Sequence, residues 1–152
     1  MCARLLRPLI LCVLIFIVSQ SDSALGSDKL MFIVNEKNPI KSLSVNELRD
    51  YYFKRRRSWP NGVSVRFIDA GEGTAALKRF QSEYLKRSQK DINLYWIGQK
   101  LYSGDSAPLR EPSEATIVQF VASLPGGIGY ITDRSLIDGK AVREIQVDAG
   151  GK

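Results

Sequence analysis

Runs of apolar residues separated by polar turns predict an alternation of strands and helices along the chain. Residues 30–34 form a continuous apolar run with β-branched members, which predicts a strand buried on both faces. Further strands are predicted over residues 63–68, 128–131 and 143–147. Between them, apolar residues recur at the helical period of 3.6.

Helix starts are predicted from capping residues. Ser44 and Glu47 form a capping box, in which the serine hydroxyl accepts from a free backbone amide and the glutamate reaches back. That helix is expected to end near Phe53, and three more helices are predicted over residues 74–85, from Ser88 to Gly104, and after Ser113. Residues 103–112 are predicted to be a loop. The order β-α-β-α-α-α-β-β favours an α/β domain with a mixed, mostly parallel sheet flanked by helices.

The N-terminal segment has the pattern of a secretory signal peptide. Two arginines precede an uninterrupted apolar run of ten residues at positions 9–18, and small and polar residues follow up to position 27. A bilayer span needs about 20 apolar residues. We therefore predict a cleaved signal peptide over residues 1–26 and one domain over residues 27–152, without a membrane span after cleavage and located in the periplasm or secreted. Cleavage after Ser23 and an uncleaved N-terminal anchor are the alternatives.

Composition excludes several kinds of chemistry. Both cysteines, Cys2 and Cys12, lie in the predicted signal peptide, and the chain has no histidine. The predicted domain therefore has no disulfide, no thiolate nucleophile and no histidine-based triad or zinc site. The aspartates at positions 133, 138 and 148 have no metal-binding spacing. We expect a protein that is not an enzyme, without metal or cofactor. The full chain has a formal net charge of +6. This charge is compatible with an anionic ligand or an acidic partner, and also with an ordinary soluble surface.

Residues 66–74 are the strongest local signal for a binding site. A predicted strand runs into a loop containing Gly71 and Gly73, and Thr74 opens the next helix. Glycines let backbone amides turn toward one point, and a helix N-terminus adds positive partial charge, so the segment suits a small oxyanion. The alternative interpretation is that the glycines only shape a tight turn between strand and helix.

Three segments, in the same order, resemble the phosphate-binding members of the periplasmic solute-binding protein superfamily. Residues 38–62 resemble the stretch from the family's Asn-Pro pair to its Trp-x-x-Gly, and residues 69–80 resemble its Ser-Gly-Thr loop and following helix. Residues 125–131, Pro-Gly-Gly-Ile-Gly-Tyr-Ile, resemble its Pro-Gly-x-Ile-Gly-Tyr turn and strand. The resemblance covers roughly residues 30–131. It implies one lobe of a type II periplasmic-binding-protein fold, and binding of phosphate or another small oxyanion in ABC transport or sensing.

The resemblance places an oxyanion site at the glycine loop. Gly73 and Thr74 match the family's Ser-Gly-Thr, whereas Glu72 stands where the family has serine. The family's ligand arginine falls at Ile68, and Arg66 lies two residues earlier on the same strand face. The candidate ligand-binding residues are Arg66, Gly71, Glu72, Gly73 and Thr74. A carboxylate about 4 Å from a unit charge on phosphate would cost roughly 4 kcal/mol at an effective dielectric of 20. Glu72 is therefore expected to face solvent or to pair with Arg66.

Four consecutive cations, Lys54, Arg55, Arg56 and Arg57, form the second candidate site. One interpretation is a basic patch through which an interaction module without ligand binding docks on a membrane sensor or transporter component. The other is a solvated turn. Nucleic acid is not an expected partner, because aromatic residues are not interleaved with these cations.

Overall fold

The computed structural model describes residues 29–148, so the predicted signal peptide lies outside the described residues. The strands are β1 (Met31–Asn35), β2 (Ser42–Ser44), β3 (Arg66–Ala70), β4 (Leu109–Glu111), β5 (Gly127–Ile131) and β6 (Val142–Asp148). The α-helices are α1 (Val45–Tyr52), α2 (Ala75–Arg79), α3 (Gln89–Ser103) and α4 (Glu114–Ser123). A π-helical segment (Phe80–Leu85) continues α2, and a 3₁₀ turn (Arg134–Ile137) precedes β6.

The strands form one mixed sheet in the order β2-β6-β1-β5-β3-β4. Strand β3 pairs in parallel with β4 and β5, and β2 pairs in parallel with β6. Strand β1 lies antiparallel between β5 and β6. Three of the five pairings between the described strands are parallel. The structure therefore confirms the predicted α/β class, with helices packed on a mixed, mostly parallel sheet.

The predicted helix starts are confirmed because their capping interactions are local. The hydroxyls of Ser44, Thr74, Ser88 and Ser113 each accept a hydrogen bond from the amide three residues later, at distances of 3.1–3.2 Å. Glu47 also accepts from the backbone amide of Ser44 and so completes the predicted capping box. Helix α3 ends at Gly104, whose φ of 74° is left-handed and favours glycine.

Three predicted segments differ from the structure, and one strand was not predicted. The strand predicted over residues 63–68 instead spans Arg66–Ala70. The predicted loop over residues 103–112 contains β4, and β2 lies between the first predicted strand and α1. The predicted helix over residues 74–85 changes from α to π geometry at Phe80. A strand of three residues is too short to show an alternation of apolar and polar positions. Such a strand forms because a neighbouring strand supplies its hydrogen bonds. Such pairing cannot be seen in a local window of sequence.

An aromatic core packs against β3, where the ring of Phe67 contacts those of Tyr52 and Phe80. The ring of Phe80 lies 4.4 Å from that of Tyr130 and 5.3 Å from that of Tyr52, between centroids. All three side chains are fully buried, and Phe32 contacts the rings of both Phe80 and Tyr130. This core holds the strand end from which the glycine loop leaves the sheet.

Candidate functional site

A cavity of about 230 Å³ opens where β3, β4 and β5 end. These three strands are parallel, so their carboxyl ends meet at one edge of the sheet, and α2 and α4 both begin there. The cavity is lined by Ala70, Gly71, Thr74, Ala75, Ala76, Arg79, Glu111, Pro112, Ser113, Glu114, Ile117 and Thr132. The fold therefore places two helix N-termini at the same opening.

Gly71 allows the loop after β4 to approach the loop after β3. A Cβ atom at this position would lie 3.1 Å from the carbonyl oxygen of Glu111 and 3.2 Å from the Cα of Pro112. Both distances are tighter than ordinary van der Waals contact, so a side chain would push the two loops apart. Thr74 then closes its loop, because its hydroxyl donates to the Gly71 carbonyl at 2.8 Å and accepts from Leu77 N at 3.2 Å.

The structure brings two of the five predicted site residues to the cavity. Gly71 and Thr74 line it, whereas Glu72 and Gly73 are exposed beside it. Gly73 has a φ of 79°, which fits the predicted need for glycine in this turn. Arg66 begins β3 at the opposite end of the strand, about 16 Å away along an extended chain. It is exposed and lines a different cavity, so the structure does not bring it to the loop.

The start of α4 forms the wall opposite the glycine loop. The carboxylate of Glu114 accepts hydrogen bonds from Thr132 N at 2.9 Å, Thr132 Oγ1 at 2.8 Å and Asp133 N at 3.0 Å. These bonds tie the first turn of α4 to the end of β5. Because three donors and a helix N-terminus surround it, the negative charge of Glu114 is partly compensated.

Arg79, in the last turn of α2, is among the residues that line the cavity. Its Nε lies 3.3 Å from Oε1 of Glu83, four residues later. The cavity wall therefore combines one arginine and two helix starts with two carboxylate residues, Glu111 and Glu114.

A buried carboxyl group anchors the strand end behind the cavity. Asp69 is fully buried and accepts from Tyr52 Oη at 3.0 Å, from Ala70 N at 3.0 Å and from Tyr130 Oη. Burial raises the pKa of Asp69, and these hydrogen bonds and nearby Arg110 only partly oppose the rise. The pKa values of both tyrosines are also raised, chiefly by burial and then by Asp69. This network fixes the position of Ala70 and the glycine loop after it.

The four consecutive cations are paired with carboxylates of the same chain. The pairs are Arg55 with Asp50 at 2.8 Å, Arg56 with Glu47 at 3.2 Å, Arg57 with Asp105 at 2.6 Å, and Lys54 with Asp105 at 3.9 Å. Arg57 lowers the pKa of Asp105 through hydrogen bonds and charge. The acids come from α1 and from the turn after α3. The run is thus built into an ion-pair network, which does not favour the interpretation as a free basic docking patch.

Sequence patterns did not point to several residues of the cavity. Four such residues line the cavity: Arg79, Glu111, Glu114 and Thr132. The last three are distant from the glycine loop in sequence, and Arg79 lies on the helix after the loop but belongs to no motif. The cap at Ser113 was visible as a helix start. Its position at the same cavity as Thr74 follows from the parallel pairing of β3 with β4, which no local pattern contains.

Comparisons with solved structures identify the architecture. A protein from Clostridium perfringens, described as a phosphate ABC transporter substrate-binding protein and determined with bound phosphate, superposes with a TM-score of 0.61 at 17% identity. The match covers 78% of this chain and 44% of that one. An ABC-type phosphate transport receptor from Vibrio cholerae gives a TM-score of 0.57 at 17% identity, covering 80% and 47% of the two chains. PstS from Borrelia burgdorferi gives 0.61 at 13% identity, covering 81% and 48%.

The chain has the fold of one lobe of these phosphate-binding proteins. It spans less than half the length of each of the three structures. No protein-family model and no curated protein matches the chain. The shared architecture agrees with the fold that the motif resemblance implied.

Among residues 29–148, no helix is long and apolar enough to cross a membrane. Within the same range, histidine, cysteine and acidic residues form no group of three or more that could hold a metal ion.

Proposed function

We propose that this chain is an exported solute-binding-like domain that binds phosphate or another small oxyanion and serves transport or sensing. The observation that carries the proposal is the cavity at the ends of β3, β4 and β5, where the Gly71 to Thr74 loop and the start of α4 meet. The similarity in fold to phosphate transport receptors supports it. In this proposal the backbone amides at both helix starts and the Arg79 guanidinium contact the anion.

The charges of the cavity wall set the expected strength of binding. Arg79 and two helix N-termini favour an anion, whereas Glu111 and Glu114 oppose it. At about 4 Å, a pair of unit charges is worth roughly 4 kcal/mol at an effective dielectric of 20, so one unfavourable carboxylate matters. The cavity is also partly open to solvent, which leaves the ligand partly hydrated. We therefore expect weak binding by this domain alone.

Calorimetry and thermal denaturation of residues 27–152 with sodium phosphate test the proposal. Phosphate at millimolar concentration should release or absorb heat and raise the melting temperature, because a ligand that binds the native state stabilises it. Sodium sulfate and sodium chloride at equal ionic strength separate specific binding from screening. An absence of heat and of any shift in melting temperature would contradict phosphate binding.

A pair of variants on α2 tests the position of the site. Arg79→Gln removes the guanidinium from the cavity wall and should weaken phosphate binding. Lys78→Gln removes the same charge from the adjacent, exposed position outside the cavity lining and should leave binding nearly unchanged. Equal loss of affinity in both variants would show that net charge, rather than this cavity, governs binding.

The exported location is tested on the full chain. Mass spectrometry of the protein recovered after expression in a bacterium with two membranes should give a mature N-terminus at Ser27, or at Ala24 for the alternative cleavage site. Leu14→Arg interrupts the apolar run at positions 9–18 and should block export. An intact N-terminus on membrane-associated protein would support the uncleaved anchor instead.

A further inference from the structure

Helix α3 exposes an apolar stripe. Leu94, Ile97 and Leu101 recur at the spacing of a packed helical face, yet 57%, 57% and 79% of their respective surfaces are exposed. On the opposite side of the helix, Ile92 and Trp96 are buried against the core. A contiguous exposed stripe of large apolar side chains is a feature of interaction surfaces rather than of ordinary solvated helices.

A groove of about 750 Å³ runs between this stripe and β4. Its apolar lining comprises Trp96, Ile97, Leu101, Ala107, Pro108 and Leu109. Strand β4 is the last strand in the sheet order, and its outer edge pairs with no other strand among residues 29–148. The groove therefore lies at a sheet edge and offers an apolar floor to a side chain from outside.

The charged residues that line the groove are both cationic. Arg110 lies on β4, and its Nε is 3.7 Å from Oδ2 of Asp69, which is longer than a hydrogen bond. Lys100 lies on α3, and its Nζ is 3.4 Å from Oγ of Ser106. No aspartate or glutamate is among the described residues that line the groove. Arg110 is thus ion-paired with Asp69 through its Nε, whereas Lys100 keeps hydrogen-bond donors for a ligand.

We propose that this groove binds an acidic, apolar segment of a partner protein, which places bulky apolar side chains on the floor and carboxylates on Arg110 and Lys100. The charge pattern favours this occupant over a second copy of the chain, because symmetric association through this groove would place four cations in one interface, and the groove lining supplies no carboxylate to pair with them.

The test titrates residues 27–152 with a short peptide of alternating leucine and glutamate by calorimetry. Two control peptides replace every glutamate with lysine or every leucine with serine, and both should fail to bind. Lys100→Glu should weaken binding of the acidic peptide on the order of fivefold or more, as expected for reversing one partly exposed charge pair. Ile97→Asp should abolish binding by placing a charge on the apolar floor.

Lys90→Glu is the matched control, because it reverses a charge on the same helix outside the groove. The proposal is overturned if Lys90→Glu and Lys100→Glu weaken binding equally, or if the lysine peptide binds as well as the acidic one. It is also overturned if the protein instead binds phosphatidylglycerol vesicles without binding the peptide. Dimerisation that Ile97→Asp abolishes, without peptide binding, would assign the face to a second copy of the chain.

Discussion

Replacing Asp69 with asparagine should change how the stability of the domain depends on pH. Asp69 is fully buried, and its pKa is raised chiefly because burial penalises the charged carboxylate. Arg110, with Nε at 3.7 Å from Oδ2, offers an attraction of about 4–5 kcal/mol at an effective dielectric of 20. Moving an ion out of water costs several kcal/mol, and the raised pKa of Asp69 indicates that this cost outweighs the attraction.

The sign of the effect follows from the direction of the shift. Between the ordinary aspartate pKa of about 3.9 and the raised pKa of Asp69, the native state holds more protons than the unfolded state. The free energy of unfolding must therefore fall as pH rises through that window, by at most about 1.4 kcal/mol per pH unit from this group. Above the raised pKa the contribution becomes constant. Asp69→Asn keeps an acceptor for Tyr130 but removes the titration.

Urea denaturation at intervals from acid to neutral pH measures the effect. The difference in unfolding free energy, wild type minus Asp69→Asn, should fall with increasing pH and then level off. Asp105→Asn supplies a control of opposite sign, because Arg57 lowers the pKa of Asp105 and its stabilisation is lost as pH decreases. A flat or rising difference for Asp69→Asn would refute the conclusion that burial outweighs Arg110 and the hydrogen bonds.

Three further substitutions test the packing and the cavity. Gly126→Ala should lower the free energy of unfolding by about 3 kcal/mol, because its Cβ would lie 1.8 Å from the carbonyl oxygen of Ser64. Gly98→Ala, in open space on α3, should raise it by about 0.5–1 kcal/mol. Urea titration compares the two, and a smaller loss for Gly126→Ala than for a surface substitution would contradict the close approach. Glu114→Gln removes a negative charge from the cavity wall, so it should tighten phosphate binding at low salt, and an unchanged dissociation constant would argue against the proposed site.

Local features of the fold were predictable because their causes are local. The capping serines at positions 44, 88 and 113 accept from amides three residues away, so a short window of sequence contains both partners. The short strands β2 and β4 were not predictable, because their hydrogen bonds come from β6 and β3. The order of motifs along the chain still indicated the architecture shared with one lobe of the phosphate-binding proteins.

The candidate site was only partly predictable for the same reason. The sequence indicated the loop that contains Gly71 and Thr74, since a strand, two glycines and a helix start follow one another in the chain. It also suggested Arg66, which strand geometry places at the far end of β3. The cationic run at positions 54–57 suggested either a basic docking patch or a solvated turn, and folding brings Asp105 beside two of its members.

By itself, the sequence determined the helix starts, the longer buried strands and the absence of histidine throughout the chain. The tertiary structure decided which of those elements meet at the cavity and which charges are compensated. Parallel pairing of β3 with β4 and β5 brings the starts of α2 and α4 to one edge of the sheet. Caps and periodicities act over a few residues, whereas sheet pairing joins residues dozens of positions apart, so the cavity exists only once the chain has folded.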